Sequence, residues 1–215
     1  MLSVVIPTLN AAATLAGTLE SVAGADELIV VDGGSTDGTE ALAVRIGARV
    51  VKAARGRGGQ IAAGVAAARG EWLLLLHADT RLGMGWREAR RLRPAEDRAY
   101  YFRFALDCDD PRARRLERLV AWRSRVLGLP YGDQGLLIHR GLLRSVGGMR
   151  ALPLMEDVDL ARRLGRQRLV GLDVAAVTSA AKWQRDGWYW RSLRNLLCLG
   201  LYFVGVPPRA IARLY

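Results

Sequence analysis

Apolar positions in the first third of the chain alternate between two rhythms. Leu2-Ser3-Val4-Val5-Ile6-Pro7 is a short β-branched run that reads as a strand stopped by its proline. Residues 14–22 then place Leu15, Leu19 and Val22 at helical spacing. Glu27-Leu28-Ile29-Val30-Val31-Asp32 is a second strand, and the turn cluster Gly33-Gly34-Ser35-Thr36-Asp37-Gly38 behind it offers caps for a helix over 39–46. Ala48-Arg49-Val50-Val51 gives a third strand and residues 60–69 an alanine-rich helix. Glu71-Trp72-Leu73-Leu74-Leu75-Leu76-His77 is a fourth strand, apolar without interruption and so buried on both faces.

Strands alternating with helices in this order predict an α/β fold, a mostly parallel central sheet flanked by helices. In open sheets of this kind ligands bind beyond the carboxyl ends of the strands. The turns gathered there are residues 8–10, 32–37, 55–60 and 77–79, so polar and acidic side chains converge on one rim. The second half reads as more helical. Residues 98–107 alternate as a strand, and helices are predicted over 111–127, 140–147, 156–166 and 188–204, with Pro207-Pro208 breaking the last. No repeat, low-complexity tract or Gly/Ser linker interrupts the sequence, and a single domain over 1–215 is expected, with halves 1–110 and 111–215.

Composition agrees with one well-buried core: 215 residues, 51% hydrophobic and 25% charged. No stretch approaches the roughly 20 apolar residues of a spanning helix. Met1-Leu2-Ser3 runs directly into the first strand without a basic leader, and Cys108 and Cys198 form neither a CxxC nor a zinc pattern, so a reducing, cytoplasmic setting is expected. Charge changes the picture more. The net charge is +11, and Lys52 and Lys182 are the sole lysines among 32 basic residues. Residues 1–110 hold 13 basic and 14 acidic side chains, residues 111–215 hold 19 and 7. Two segments carry the excess, 111–127 and 182–215, each with six basic residues against one acid, the second interleaved with Trp183, Trp188, Tyr189, Trp190, Tyr202 and Phe203. Basic segments with interfacial aromatics suit an anionic membrane surface; solvated helix faces packed on the sheet are the plainer alternative. No nucleic-acid motif accompanies the charge, and no nucleic-acid partner is expected.

Three constellations carry candidate chemistry. Asp32 ends a buried strand at a Gly-rich turn, where a carboxylate can accept hydrogen bonds from a base or ribose, or else cap a helix. Neither GxxxxGK[ST] nor GxGxxG follows the first strand, which excludes a phosphate-loop NTPase and an ordinary dinucleotide fold. In Leu76-His77-Ala78-Asp79-Thr80 the acid just beyond a central strand suits a divalent cation shared with substrate phosphates, or a cap. His77 reads as a second ligand, a phosphate contact or a satisfied core histidine. Glu156-Asp157-Val158-Asp159 follows apolar Leu152-Pro153-Leu154-Met155, so one carboxylate should be partly buried, as a general base requires; a solvated helix start is the alternative. Asp133 and Gln134, in a Gly-flanked turn, are candidates for an acceptor pocket or a plain polar turn.

Taken in order, Ser3 to Asn10, Val31-Asp32-Gly33-Gly34-Ser35-Thr36-Asp37-Gly38-Thr39, Gly70 to Asp79, Arg140 to Gly148 and Glu156-Asp157 resemble the motifs of family-2 inverting glycosyltransferases of the GT-A fold. Pro130-Tyr131-Gly132-Asp133-Gln134-Gly135 and Pro153-Leu154-Met155-Glu156-Asp157 resemble a small bacterial branch described as transferase 2, rSAM/selenodomain-associated, some of whose relatives are carotenoid glucosyltransferases. The resemblance implies sugar transfer from a UDP- or GDP-linked donor to an acceptor hydroxyl, carotenoid-type among some relatives, and the two basic segments add a lipid acceptor and a peripheral place at the inner face of the membrane as expectations. It places Pro7, Thr8, Asn10 and Asp32 at the nucleotide and Arg57 and Gln60 on a loop facing the diphosphate. Asp79 matches the last acid of a DxD motif holding Mn2+ or Mg2+, with His77 in place of the first. Asp157 matches the base, beside Glu156. Gly33 stands where many relatives have a second acid, and a fold retained for non-catalytic binding to a membrane or anionic partner is the competing expectation.

Overall fold

The computed structural model describes residues 1–87 and 95–214. The first half follows the predicted order: β1 (Leu2–Thr8), α1 (Ala12–Ser21), β2 (Glu27–Asp32), α2 (Thr39–Arg45), β3 (Arg49–Lys52), α3 (Arg57–Ala67) and β4 (Trp72–Leu75). These four strands pair in parallel, β1 lying between β2 and β4. Pro7 does not end β1: pairing with β4 stops at Val5, while pairing with β2 runs on to Thr8. The next elements are β5 (Thr80–Leu82), β6 (Ala99–Leu106), α4 (Pro111–Trp122), β7 (Leu136–His139), α5 (Arg140–Ser145), α6 (Glu156–Leu164), β8 (Leu169–Thr178), α7 (Ala181–Asp186), α8 (Trp188–Phe203) and α9 (Pro208–Ile211). They complete one sheet of order β3-β2-β1-β4-β7-β6-β8-β5.

Strand alternation sorts the core into two layers. Val4, Ile6, Leu74 and Phe102 pack with Leu15 and Leu19 of α1 on one face; Val5, Ile29, Val31 and Leu75 pack with Ile61 of α3 and Leu160 of α6 on the other. Gly64 allows α3 its close approach: a Cβ there would lie 2.4 Å from Val5 Cγ1 and 2.7 Å from Val31 Cγ2. Antiparallel β7, between β4 and β6, joins the halves, so the sheet is parallel in its first four strands and mixed beyond. β5, β7 and β8 were not predicted. β7 is only four residues long; β8 contains Gly171, Asp173 and two alanines, which dilute a strand pattern, and it pairs with β6 through a register shift at Phe102/Arg103.

Helix α4 ends earlier than the predicted 127: the chain continues as a π turn over Arg123–Leu127 and stops at left-handed Gly128. No helix among the described residues is long and apolar enough to cross a membrane.

Candidate active site

The carboxyl ends of β1, β2 and β4 open onto one rim, at the point where chain order departs in both directions from β1. Asp32, 1% exposed, organises the turn after β2. Its carboxylate accepts from the Gly34 and Ser35 N–H groups at 2.8 and 2.7 Å, and from the Ser35 and Thr8 hydroxyls at 2.5 and 3.0 Å. Burial pushes the Asp32 carboxyl up, but these donors outweigh it and hold it below the ordinary range. Opposite, Asn10 takes a left-handed conformation, its N–H donates to Ser35 Oγ and its Oδ1 accepts from Thr36 N–H.

Arg57 and Gln60 lie on the first turn of α3, not on a loop. Gln60 is buried, and its Nε2 donates to the Thr8 and Val31 carbonyls, both at 2.8 Å. Arg57 reaches from α3 to α6 on the same face of the sheet, with Nε paired to Glu156 Oε1 and Nη2 3.8 Å from Asp157 Oδ2. A left-handed residue before α6, Met155 at φ 63°, turns Glu156 and Asp157 into the interior. Glu156 is 1% exposed; burial pushes its carboxyl up against the opposing field of Arg57. At Asp157 the balance reverses. Burial raises it, but Arg57 and the N–H groups of Gly132 (2.9 Å) and Val158 (2.8 Å) hold the carboxyl below its ordinary range, so it is ionised.

Beyond β4, His77 packs against Gly132 so tightly that a Cβ on that glycine would lie 2.5 Å from Nε2. Desolvation first, and then Arg57, lower the imidazole to about 4, which leaves it neutral at pH 7. Asp79 accepts from Lys182 Nζ at 2.7 Å; burial raises its carboxyl, but the charge and hydrogen bond of Lys182 hold it below the ordinary range. Asp133 sits in the same hollow with Oδ1 buried and lacking a hydrogen bond; desolvation raises its carboxyl to about 6.

Two clefts meet at these residues. The first, about 480 Å³, is lined by Pro7, Thr8, Asn10, Arg55, Gln60 and Pro153 among others. The second, about 440 Å³, is lined by Tyr131, Asp133, Leu154, Asp157, Trp183 and Arg194 among others. Arg57, His77, Asp79, Ser179 and Lys182 border both.

The predicted site residues therefore converge, with three corrections to their roles. Three donors of its own turn and the Thr8 hydroxyl of β1 occupy the Asp32 carboxylate, so it shapes the rim beyond β1 and β2 instead of presenting free acceptors. Gln60 braces β1 against β2. Gln134 is not an acceptor contact: it is 1% exposed, Nε2 donates to the Phe102 carbonyl at 3.1 Å, and Oε1 accepts from Ser124 Oγ at 2.8 Å and Tyr131 N–H at 3.2 Å. Sequence reasoning missed Ser179 and Lys182 as site residues. Lys182 counted there as part of a basic tail, and only the position of β8 brings it to Asp79. Its being one of two lysines in an arginine-rich chain was the available signal.

A family model described as Glycosyl transferase family 2 matches residues 3–127, and the chain belongs to that family. A PGL/p-HBAD biosynthesis glycosyltransferase of Mycobacterium bovis is 42% identical over 93 residues, covering 38% of this chain and 36% of the relative. A glucosyl-3-phosphoglycerate synthase of Mycobacterium tuberculosis is 49% identical over 55 residues, 23% of this chain and 17% of the relative. The matched segments thus span only 36% and 17% of these curated relatives. A crystal structure of the latter synthase with Mn2+, uridine diphosphate and glucosyl-3-phosphoglycerate is similar with a TM-score of 0.57 at 26% identity, over 81% of this chain and 70% of that one. Another, with Mn2+ and UDP-glucose, superposes over 96% of this chain and 80% of that one with a TM-score of 0.63; at 22% identity it speaks to the fold alone. The fold is the GT-A glycosyltransferase fold.

Proposed function

We propose that this protein transfers a sugar from a nucleotide-diphosphate sugar, UDP- or GDP-linked, to an acceptor hydroxyl with inversion at the anomeric carbon. The observation that carries the reading is the junction of two clefts at Arg57, His77, Asp79 and Lys182, with Asp157 in the second cleft only. Inversion needs a base on the face opposite the leaving group. A donor lying in the first cleft, with its diphosphate at the shared cations, leaves that face to Asp157. Asp157 takes the acceptor proton as the hydroxyl attacks, and the N–H groups of Gly132 and Val158 fix its orientation. Glu156 positions Arg57 and takes no proton.

The mycobacterial synthase was crystallised with Mn2+ and uridine diphosphate. Asp79 suits a hard divalent cation, Mn2+ or Mg2+, because it is an ionised carboxylate at the cleft junction beside a neutral imidazole. No group of three or more His, Cys, Asp or Glu side chains able to hold a metal occurs among the described residues, which leaves the other positions to diphosphate and water. When bound, such an ion supplies neutralisation of the charge growing on the leaving diphosphate. Lys182 competes for the same Asp79 oxygen.

Leu154, Met155, Val158 and Trp183 give the second cleft an apolar wall, which supports a lipid-linked or carotenoid-type acceptor. One observation favours a second assignment of the base. Asp133, at about 6, titrates nearer neutrality than Asp157 and has an unpartnered buried oxygen in the same cleft. Nucleotide release from a panel of UDP- and GDP-sugars with Mn2+ or Mg2+ tests the donor reading, and no release from any of them leaves a non-catalytic binding protein. With an acceptor in hand, full turnover by Asp157→Asn would overturn the base assignment.

A further inference from the structure

Helix α8 is amphipathic in the wrong sense for a helix that merely covers the sheet. Tyr189 and Trp190 are each 74% exposed, and Leu193, Leu196, Leu197 and Phe203 follow on the same outward face at 48–64%. The spacing from 189/190 to 193, 196/197 and 203 is that of one continuous helical stripe. The polar side chains are on the inner side: Arg191, Arg194 and Asn195 line the second cleft, and Cys198 is buried. An apolar stripe of this extent on a protein surface marks a contact site.

We propose that the outward face of α8 docks on an anionic lipid bilayer. Charge decides between the available occupants. Residues 187–215 contain four arginines and no aspartate or glutamate. Exposed arginines rim the stripe at both ends; Arg112 at its start is paired with Asp110 at 2.6 Å, so those without an ion pair among the described residues lie at its finish. Arg112 stacks over Trp188 (5.5 Å) at the start, and Arg162 stacks over Phe203 (5.1 Å) and Tyr202 (5.6 Å) at the finish. Arg209 and Arg213 are exposed beyond it. A second copy docked through the same face would set these arginines against their own counterparts with no carboxylate from the stripe between them. Anionic headgroups meet the arginines while the tryptophan, tyrosine and leucines enter the headgroup–acyl boundary, as interfacial helices do. The inner face of α8 borders the cleft that holds Asp157, so a docked helix puts that cleft about one helix diameter, roughly 10–12 Å, from the lipid surface. The docking claim stands independently of the donor reading.

Co-sedimentation of the full chain with phosphatidylglycerol/phosphatidylcholine vesicles and with phosphatidylcholine alone tests it. The wild-type chain should bind the anionic vesicles preferentially and lose binding as salt rises. The triple variant Trp190→Gln/Leu193→Gln/Leu197→Gln, checked for folding by circular dichroism, should bind about a hundredfold more weakly, each partly buried apolar side chain contributing several-fold. Arg162→Gln/Arg209→Gln should lower binding to anionic vesicles only. No vesicle binding by the wild type, equal binding to both vesicle types, or undiminished binding by the triple variant would each overturn the proposal. A wild-type dimer that the triple variant dissociates in light scattering would assign the face to a second copy instead. Nucleotide release from donor alone should be the same in all variants, which separates failure of docking from failure of the transferase reading.

Discussion

Arg57 is the residue whose removal tests most of the reasoning at once. It pairs with Glu156, a carboxylate 1% exposed, and lies beside Asp157. Breaking a buried pair by deleting one partner typically costs about 3–5 kcal/mol, because the remaining charge stays buried without compensation. Arg57 itself is 35% exposed, so solvent screens part of that, and roughly 2–3 kcal/mol is the expected loss in Arg57→Ala. For a chain of this length that corresponds to a fall in Tm of about 4–12 °C, read by circular dichroism. The pH dependence has a definite sign. The Glu156 carboxyl is raised by burial in spite of Arg57. Without Arg57 it rises further, so the penalty is largest at high pH, where Glu156 is ionised in both folded proteins, and shrinks as pH falls and the variant's Glu156 takes up its proton first. Arg57→Ala/Glu156→Gln should recover most of the stability while leaving turnover impaired, because Asp157 has lost its cation. A destabilisation that is flat with pH, or a double variant as unstable as the single one, would falsify the buried-pair argument.

Asp157→Asn should lower the transfer rate by about 10²–10⁴-fold, the range for a positioned base, with donor affinity measured by calorimetry unchanged. If Asp133 takes part in proton transfer, kcat/KM should fall with acid around pH 6, and Asp133→Asn should abolish that limb; a profile that keeps it assigns the limb elsewhere. Lys182→Met frees an Asp79 oxygen from a half-exposed ammonium, so Mn2+ should half-activate at a severalfold lower concentration, and a higher requirement would show that the two do not compete. Gly132→Ala drives a methyl group into His77 at 2.5 Å and should cost about 1–3 kcal/mol of stability, whereas the alanine variant of open Gly200, inside α8, should gain up to about 1 kcal/mol from helix propensity.

The first half of the fold was legible because each of its strands is a dense apolar run and each returns through a helix, which leaves a parallel sheet as the natural solution. The rim acids could be named from sequence for the same reason: a residue just past a parallel strand is at the ligand end whatever the details. What sequence could not show was which of those polar groups the chain keeps for itself. Gln60 and Gln134 have the composition of binding residues, yet each spends its amide on carbonyls far along the chain, Gln60 on Thr8 52 residues away and Gln134 on Phe102 32 residues away. Only the fold brings those partners near. The second half was harder because its strands are short or diluted by small residues, and Lys182 reaches Asp79 across 103 positions by way of β8. The helix α8 shows the same limit in another form. The sequence predicted a helix over 188–204 with basic and aromatic residues interleaved, but that pattern does not say which face turns inward. Here a charged cleft claims the arginines and leaves the apolar stripe outside, so the same pattern that ordinarily seals a core is presented to a surface the protein must meet.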